Sequence, residues 1–230
     1  MLADFFKLNG PSEAIEQVDE EELLKHFHRA NHIKNTVYRP DEWPEKLRKA
    51  SGIAFENVSL SKTRFTRMTF TACTFTDCLF IGCLFEEVEF HNCSFNNCNF
   101  YKSNFSRCYI NPNSFQFNKA YKKTASNVVV DLFQNLMENS ASMKQDEFFV
   151  LSDYRFRQWK RAQLDYDFRQ NKIGRFQLKW KKFKSFVYEW IAGFGYEPMR
   201  FFLFTIVIFM LISCFNYYAL RGAISANGAC

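Results

Sequence analysis

Two histidines, His28 and His32, stand four residues apart, the spacing that sets two imidazoles on one helix face where they can share a divalent metal. No third ligand accompanies them, and the pair reads far more readily as solvated helix histidines. Eight cysteines could build a disulfide scaffold or a metal site. Six of them, Cys73, Cys78, Cys83, Cys93, Cys98 and Cys108, instead fall at multiples of five residues with no C-x-x-C pairing. Thiols repeated along one direction do not face one another as a disulfide requires. They read as small buried hydrophobes in a reducing compartment. His91 has no nucleophile or carboxylate pair around it, and no glycine loop suited to phosphate is present. The chain is therefore expected not to be an enzyme, with no catalytic residue, cofactor or metal site.

The cysteines belong to a larger pattern that must position them. From Ile53 to Phe115 a large apolar residue returns every fifth place: Phe55, Leu60, Phe65, Phe70, Phe75, Phe80, Phe85, Phe90, Phe95, Phe100, Phe105, Ile110 and Phe115. Two places before each stands a mostly small residue, where the six cysteines sit. A period of five suits neither an amphipathic helix nor a long alternating strand. The chain must turn a corner in each repeat. Four repeats make a coil of twenty residues, and coils stack at roughly the 4.8 Å strand spacing. Phe75 then stacks on Phe95, Phe80 on Phe100, Cys73 on Cys93 and Cys78 on Cys98.

This pattern, a central Phe or Leu with a small residue two before it, resembles the pentapeptide-repeat family over about thirteen repeats. The resemblance implies a mainly β chain with α elements: a right-handed quadrilateral β-helix, a solenoid, flanked by helices. Met68 and Asn113 depart from the small inner site. The expected organisation is an N-terminal helical cap over 1–51, repeats over 52–117, a basic helical region over 118–198, a transmembrane helix over 199–221 and a tail over 222–230. The cap comprises a helix from Ser12, its N-cap, to about Ile33 and a short helix over Asp41–Ala50. Most outward positions in the repeats are polar. The apolar exceptions, Leu79, Ile81, Leu84, Tyr101 and Tyr109, form a candidate contact patch.

Beyond Phe117 the periodicity is helical. Phe176, Trp180, Phe183, Val187 and Trp190 share one face of a helix over Arg175–Ile191 that also carries Lys181, Lys182 and Lys184. This composition suits a membrane surface, and equally a basic helix packed on protein. Phe201 to Leu220 is twenty residues without a charge, roughly 30 Å of helix, enough for one bilayer crossing. Sixteen Lys or Arg against nine Asp or Glu lie between Asn118 and Arg200, and only Arg221 lies beyond. The positive-inside rule predicts a single-pass protein with its N-terminus and repeats in the cytoplasm.

The expected function is a membrane-anchored cytoplasmic interaction or scaffold module. Its partners are the lipid bilayer and an unidentified protein, with a homo-oligomer compatible and no nucleic acid. The segment Gly195-Tyr196-Glu197-Pro198-Met199-Arg200 before the apolar helix also resembles the junction between pentapeptide repeats and a two-helix ion-channel pore. That resemblance implies the assembly or regulatory part of a channel whose pore is missing from this chain. Some pentapeptide-repeat proteins imitate DNA and bind gyrase. Such mimicry needs an acidic surface, whereas residues 53–117 carry five acids and five bases.

Overall fold

The computed structural model describes residues 6–11, 14–29 and 31–227. Residues 1–175 and 176–230 form two compact units. In the first, every strand pairs in parallel, and the chain returns to the same sheet at a spacing of twenty residues: Phe55 opposite Phe75, Phe75 opposite Phe95, Phe95 opposite Phe115. One sheet has six strands, ordered Glu16–Val18, His32–Tyr38, Ala54–Ser59, Thr74–Thr76, Ser94–Asn96 and Phe115–Gln116. A second has three, Arg64–Thr66, Leu84–Glu86 and Asn104–Ser106. A third has four, Lys49–Ser51, Thr69–Thr71, Glu89–His91 and Tyr109–Ile110.

The expected mainly β fold, a right-handed quadrilateral β-helix or solenoid, is corrected by this arrangement. The strands make three separate parallel sheets, and helix takes 50% of the residues against 23% for strand, so the class is α/β-like. The fourth side carries only the isolated bridges Ser59 to Leu79 and Leu79 to Asn99. Its chain is consumed by turns. The amides of Thr63, Cys83 and Ser103 donate to the carbonyls of Leu60, Phe80 and Phe100, and the third residue of each turn, Lys62, Gly82 or Lys102, has φ of +57° to +69°. Those are type II features, in which only glycine takes the third place without strain.

The rings fill the space between the sheets. Phe55, Phe75, Phe95 and Phe115 form a column with centroids 4.8 to 5.0 Å apart and nearly parallel planes. Phe65, Phe85 and Phe105 form a second, and Phe80 on Phe100 a third. Neighbouring columns meet edge to face, as between Phe95 and Phe100 at 5.6 Å. Offset-parallel and edge-on contacts are the two favourable aromatic geometries. The spacing along a column is that of the strands that carry it.

Each open end of the stack is covered. At the start, helix α1 (Glu20–Arg29) places Phe27 against Phe55, and Trp43 lies 5.2 Å from Phe65 and 5.9 Å from Phe70. The helix expected from Ser12 to Ile33 is shorter than anticipated. Ser12 lies outside the described residues, and Glu16–Val18 and His32–Tyr38 are strands. Asp19 and Glu22 explain the start of α1. Each side chain accepts the other's backbone amide, at 2.9 and 3.3 Å, a reciprocal cap on the first turn. The helix expected over Asp41–Ala50 is reduced to a 3-10 turn at Glu45–Leu47 followed by a strand, with Pro44 preceding the turn.

At the far end the chain turns into α2 (Lys119–Thr124), α3 (Ser126–Ser142) and α4 (Asp146–Arg169). Asn118 caps α2 by accepting from the amides of Ala120 and Tyr121. Phe133 of α3 meets the last ring, Phe115, edge to face at 6.2 Å. Buried Asn139 receives the Cys108 amide on its Oδ1 and donates Nδ2 to the Cys108 carbonyl, both at 2.8 Å. This side-chain amide satisfies backbone groups that no further strand reaches. Arg155 of α4 likewise donates to the Phe115 carbonyl at 3.2 Å.

The second unit consists of α5 (Arg175–Ala192), a 3-10 turn at Gly193–Gly195, and α6 (Pro198–Asn227).

Candidate membrane interface

The nine phenylalanines from Phe65 to Phe105 and the six cysteines all lie in the interior of the stack. Among the described residues, no group of three side chains is arranged to hold a metal. His28 ends its helix one residue before the chain leaves α1, and His32 sits on a strand, with Nε2 3.0 Å from Glu56. The two histidines therefore do not share a helix face. His91 stacks on Tyr109 at 4.9 Å and pairs with Glu89.

The cysteines have a role that their spacing did not disclose. Each thiol donates to the carbonyl of a residue twenty-three places earlier: Cys83 to Leu60 at 2.8 Å, Cys98 to Phe75 and Cys108 to Phe85 at 3.3 Å. Ser103, at an equivalent place, bonds the Phe80 carbonyl in the same way. The inner site thus takes a small residue with a donor that ties one layer to the layer before it. Burial pushes the Cys83 thiol up to about 12 and raises Cys98 and Cys108 as well, so these sulfurs stay protonated and unreactive.

Of the five residues of the anticipated patch, Leu79, Ile81 and Tyr101 are brought to one side of the stack, and Leu84 and Tyr109 lie on two others. Leu79 is buried at the bridged side, and Ile81 and Tyr101 follow it there on successive turns, with Tyr101 edge-on to Phe6 at 5.3 Å. Leu84 lies on the three-stranded sheet between Arg64 and Asn104. Tyr109 lies on the four-stranded sheet beside Phe148. A groove of about 370 Å³ lined by Trp43, Arg48, Arg64, Arg67 and Glu86 is polar, and two of its arginines are engaged by Glu45 and Glu87.

The second unit differs in kind. Every described side chain of α5 is at least partly exposed, including Phe176 at 81%, Trp180 and Phe183 at 60% and Trp190 at 61%. Phe176, Phe183 and Trp190 are seven residues apart and fall on one line of the helix, with Trp180 and Val187 about 40° to one side. Pro198–Tyr218 of α6 is a 21-residue stretch long and apolar enough to cross a membrane, and its most apolar window is wholly unburied within the chain. Thr205 satisfies its hydroxyl on the Phe201 carbonyl at 2.9 Å, the way a helix hides a hydroxyl from lipid.

The corner between the helices is tightly built. Gly193, Phe194 and Gly195 have φ of +51°, +58° and +98° in succession, and Phe194 is buried against Tyr188. A Cβ on Gly193 would come within 2.9 Å of the Glu197 side chain, and one on Gly195 within 3.1 Å of the Tyr188 hydroxyl. The Glu197 amide donates to the Ala192 carbonyl at 3.2 Å, and Arg200 pairs with Glu197. Trp190 meets Phe204 edge-on at 5.4 Å just beyond this corner. The aromatic line further up α5 stays exposed, so α6 does not cover it.

Residues 52–124, under a third of the chain, match the family model of the SV2A/B/C luminal domain. This match corrects the resemblance to the pentapeptide-repeat family. Over the very residues with the five-residue period, the matching model is the SV2A/B/C luminal domain, and no pentapeptide-repeat model matches. No curated protein matches the sequence.

Proposed function

We propose that this chain is a membrane-anchored, non-catalytic protein-interaction module, held to the bilayer by α6 and presenting its stacked-sheet unit to a protein partner. The observation that carries the reading is the 21-residue apolar stretch Pro198–Tyr218, which finds no cover inside the chain. An apolar helix left in water would be a severe liability, and a hydrocarbon core is the solvent that its length matches.

The excess of Lys and Arg between Asn118 and Arg200 favours the cytoplasmic side for the first unit. Six free, buried thiols fit that reducing compartment. The matching family's domain is by its name a luminal one, the opposite side of a membrane from the one that the basic excess favours.

Alkaline carbonate washing of membranes tests the anchor. The full chain should stay in the pellet, and a chain ending at Pro198 should be released. Release of the full chain would sink the reading. Protease treatment of sealed, right-side-out cells tests the orientation: residues 1–175 should be protected until the membrane is permeabilised. Immediate digestion would place that unit on the far side.

A further inference from the structure

We propose that α5 lies along the bilayer surface as a binding site for anionic lipid headgroups, set in place by the Gly193–Gly195 corner. This inference rests on the membrane-anchor reading of α6. Three observations carry it. The aromatic line of Phe176, Phe183 and Trp190 is exposed over the length of the helix, and its one ring contact with α6 among the described residues is Trp190 on Phe204, at the corner end. Lys179 falls about 60° to one side of Phe176 and Lys184 about 80° to the other, so both borders of the apolar face carry an ammonium that can reach outward from a buried ring line. The helix holds five bases, Arg175, Lys179, Lys181, Lys182 and Lys184, against the single acid Glu189.

The corner supplies continuity. Three successive positive φ values break the helix within one 3-10 turn, and the space beside both glycines is taken by Glu197 and Tyr188. The aromatic line of α5 therefore begins within a few residues of Pro198, where the spanning stretch starts. A surface helix joined so closely to a span must sit at the headgroup level. There its rings enter the acyl boundary and its lysines meet phosphate or carboxylate groups. A soluble acidic protein could satisfy the charges but would leave the rings in water. An anionic bilayer satisfies both.

Hydrogen exchange of the full chain in nanodiscs tests this. The amides of residues 176–191 should exchange about tenfold or more slowly in discs containing phosphatidylserine than in pure phosphatidylcholine, a conservative share of the roughly fivefold expected per lysine at an anionic surface. Replacing Lys179, Lys181, Lys182 and Lys184 together by Gln should abolish the difference, and replacing them by Arg should keep it. Equal exchange of 176–191 in both lipids, with 201–216 still protected, would overturn the inference and leave the anchor standing. So would protection that survives the four Lys→Gln changes, since a protein surface would then be the cover. Free exchange across 201–216 would overturn the anchor itself and this inference with it.

Discussion

Phenylalanine is used in two opposite ways in this chain. In the first unit Phe75, Phe85 and Phe95 are almost wholly buried, each touching rings above, below and beside it. In the second, Phe176 and Phe183 have no such neighbours and remain mostly exposed. Residue type does not distinguish the two groups. Period does: four steps of five residues return a ring to the same interior column twenty residues on, whereas seven return it to the same outer line of a helix. The first group makes its own solvent. The second requires one from outside.

The sharpest way to break this contrast is to empty a column. Phe95→Ala should cost roughly 3 to 5 kcal/mol in chemical denaturation, because five flanking rings held by the strand spacing cannot close the cavity. Asn96→Ala, on the outward side of the same strand, should cost under about 0.5 kcal/mol. Equal losses from the two would refute the interior column.

The buried thiols provide a second test. Cys83, Cys98 and Cys108 are raised in the folded protein by burial, from an ordinary value of 9.0 to about 12 for Cys83. A raised acid binds its proton longer when folded than when unfolded. Its contribution is therefore intact below pH 9 and is lost as pH rises through the window from 9 to about 12. Stability should fall by up to about 1.4 kcal/mol per pH unit for Cys83 in that window, with Cys98 and Cys108 adding to the slope in the same direction. A Cys83→Ser, Cys98→Ser, Cys108→Ser triple variant should show a shallower alkaline slope. An identical slope would mean that the thiols already meet water.

Polar closure of the stack should matter less than its rings. Asn139→Ala removes both hydrogen bonds to Cys108 and leaves its amide and carbonyl buried without partners, at a cost of about 1 to 3 kcal/mol. Asn135→Ala, on an exposed turn of the same helix, serves as the control and should be near neutral.

The ring columns were legible because a strict period survives any detail of backbone, and the twenty-residue register follows from it. The division into three sheets was not. It turns on where the tight turns at Phe80–Cys83 and its counterparts remove the extended residues of the fourth side, and Lys62 and Lys102 occupy there the place that Gly82 fills without strain. A lysine in that place gives no turn signal. The start of α1 was hidden for a similar reason. Asp19 and Glu22 fall inside the helix expected from Ser12, whereas their three-residue spacing is itself the cap of a helix that starts at Glu20. The grouping of Leu79, Ile81 and Tyr101 follows from the twenty-residue register, and the separation of Leu84 and Tyr109 from them does not, because outward positions on different sheets are neighbours in sequence and strangers in space. Asn139 could not have been found at all, since nothing local marks one asparagine in α3 as the group that meets a strand thirty-one residues earlier.

The smallest expected effect is the most informative about the second unit. Phe183→Ser removes a ring that is 60% exposed and whose ring contact among the described residues is Trp180 at 6.3 Å. If α5 faces lipid, thermal unfolding of the first unit in detergent should move by less than about 0.5 kcal/mol, because no protein contact is lost. Binding of the same variant to anionic vesicles should weaken, since a buried phenylalanine contributes about 1.5 to 3 kcal/mol of transfer free energy. The opposite result, a loss above about 1 kcal/mol in detergent with unchanged vesicle binding, would mean that α5 is a basic helix docked on protein. Its rings would then belong with Phe95 and not with the bilayer. A single exposed residue thus decides whether the chain has one aromatic core or an aromatic core and an aromatic membrane face.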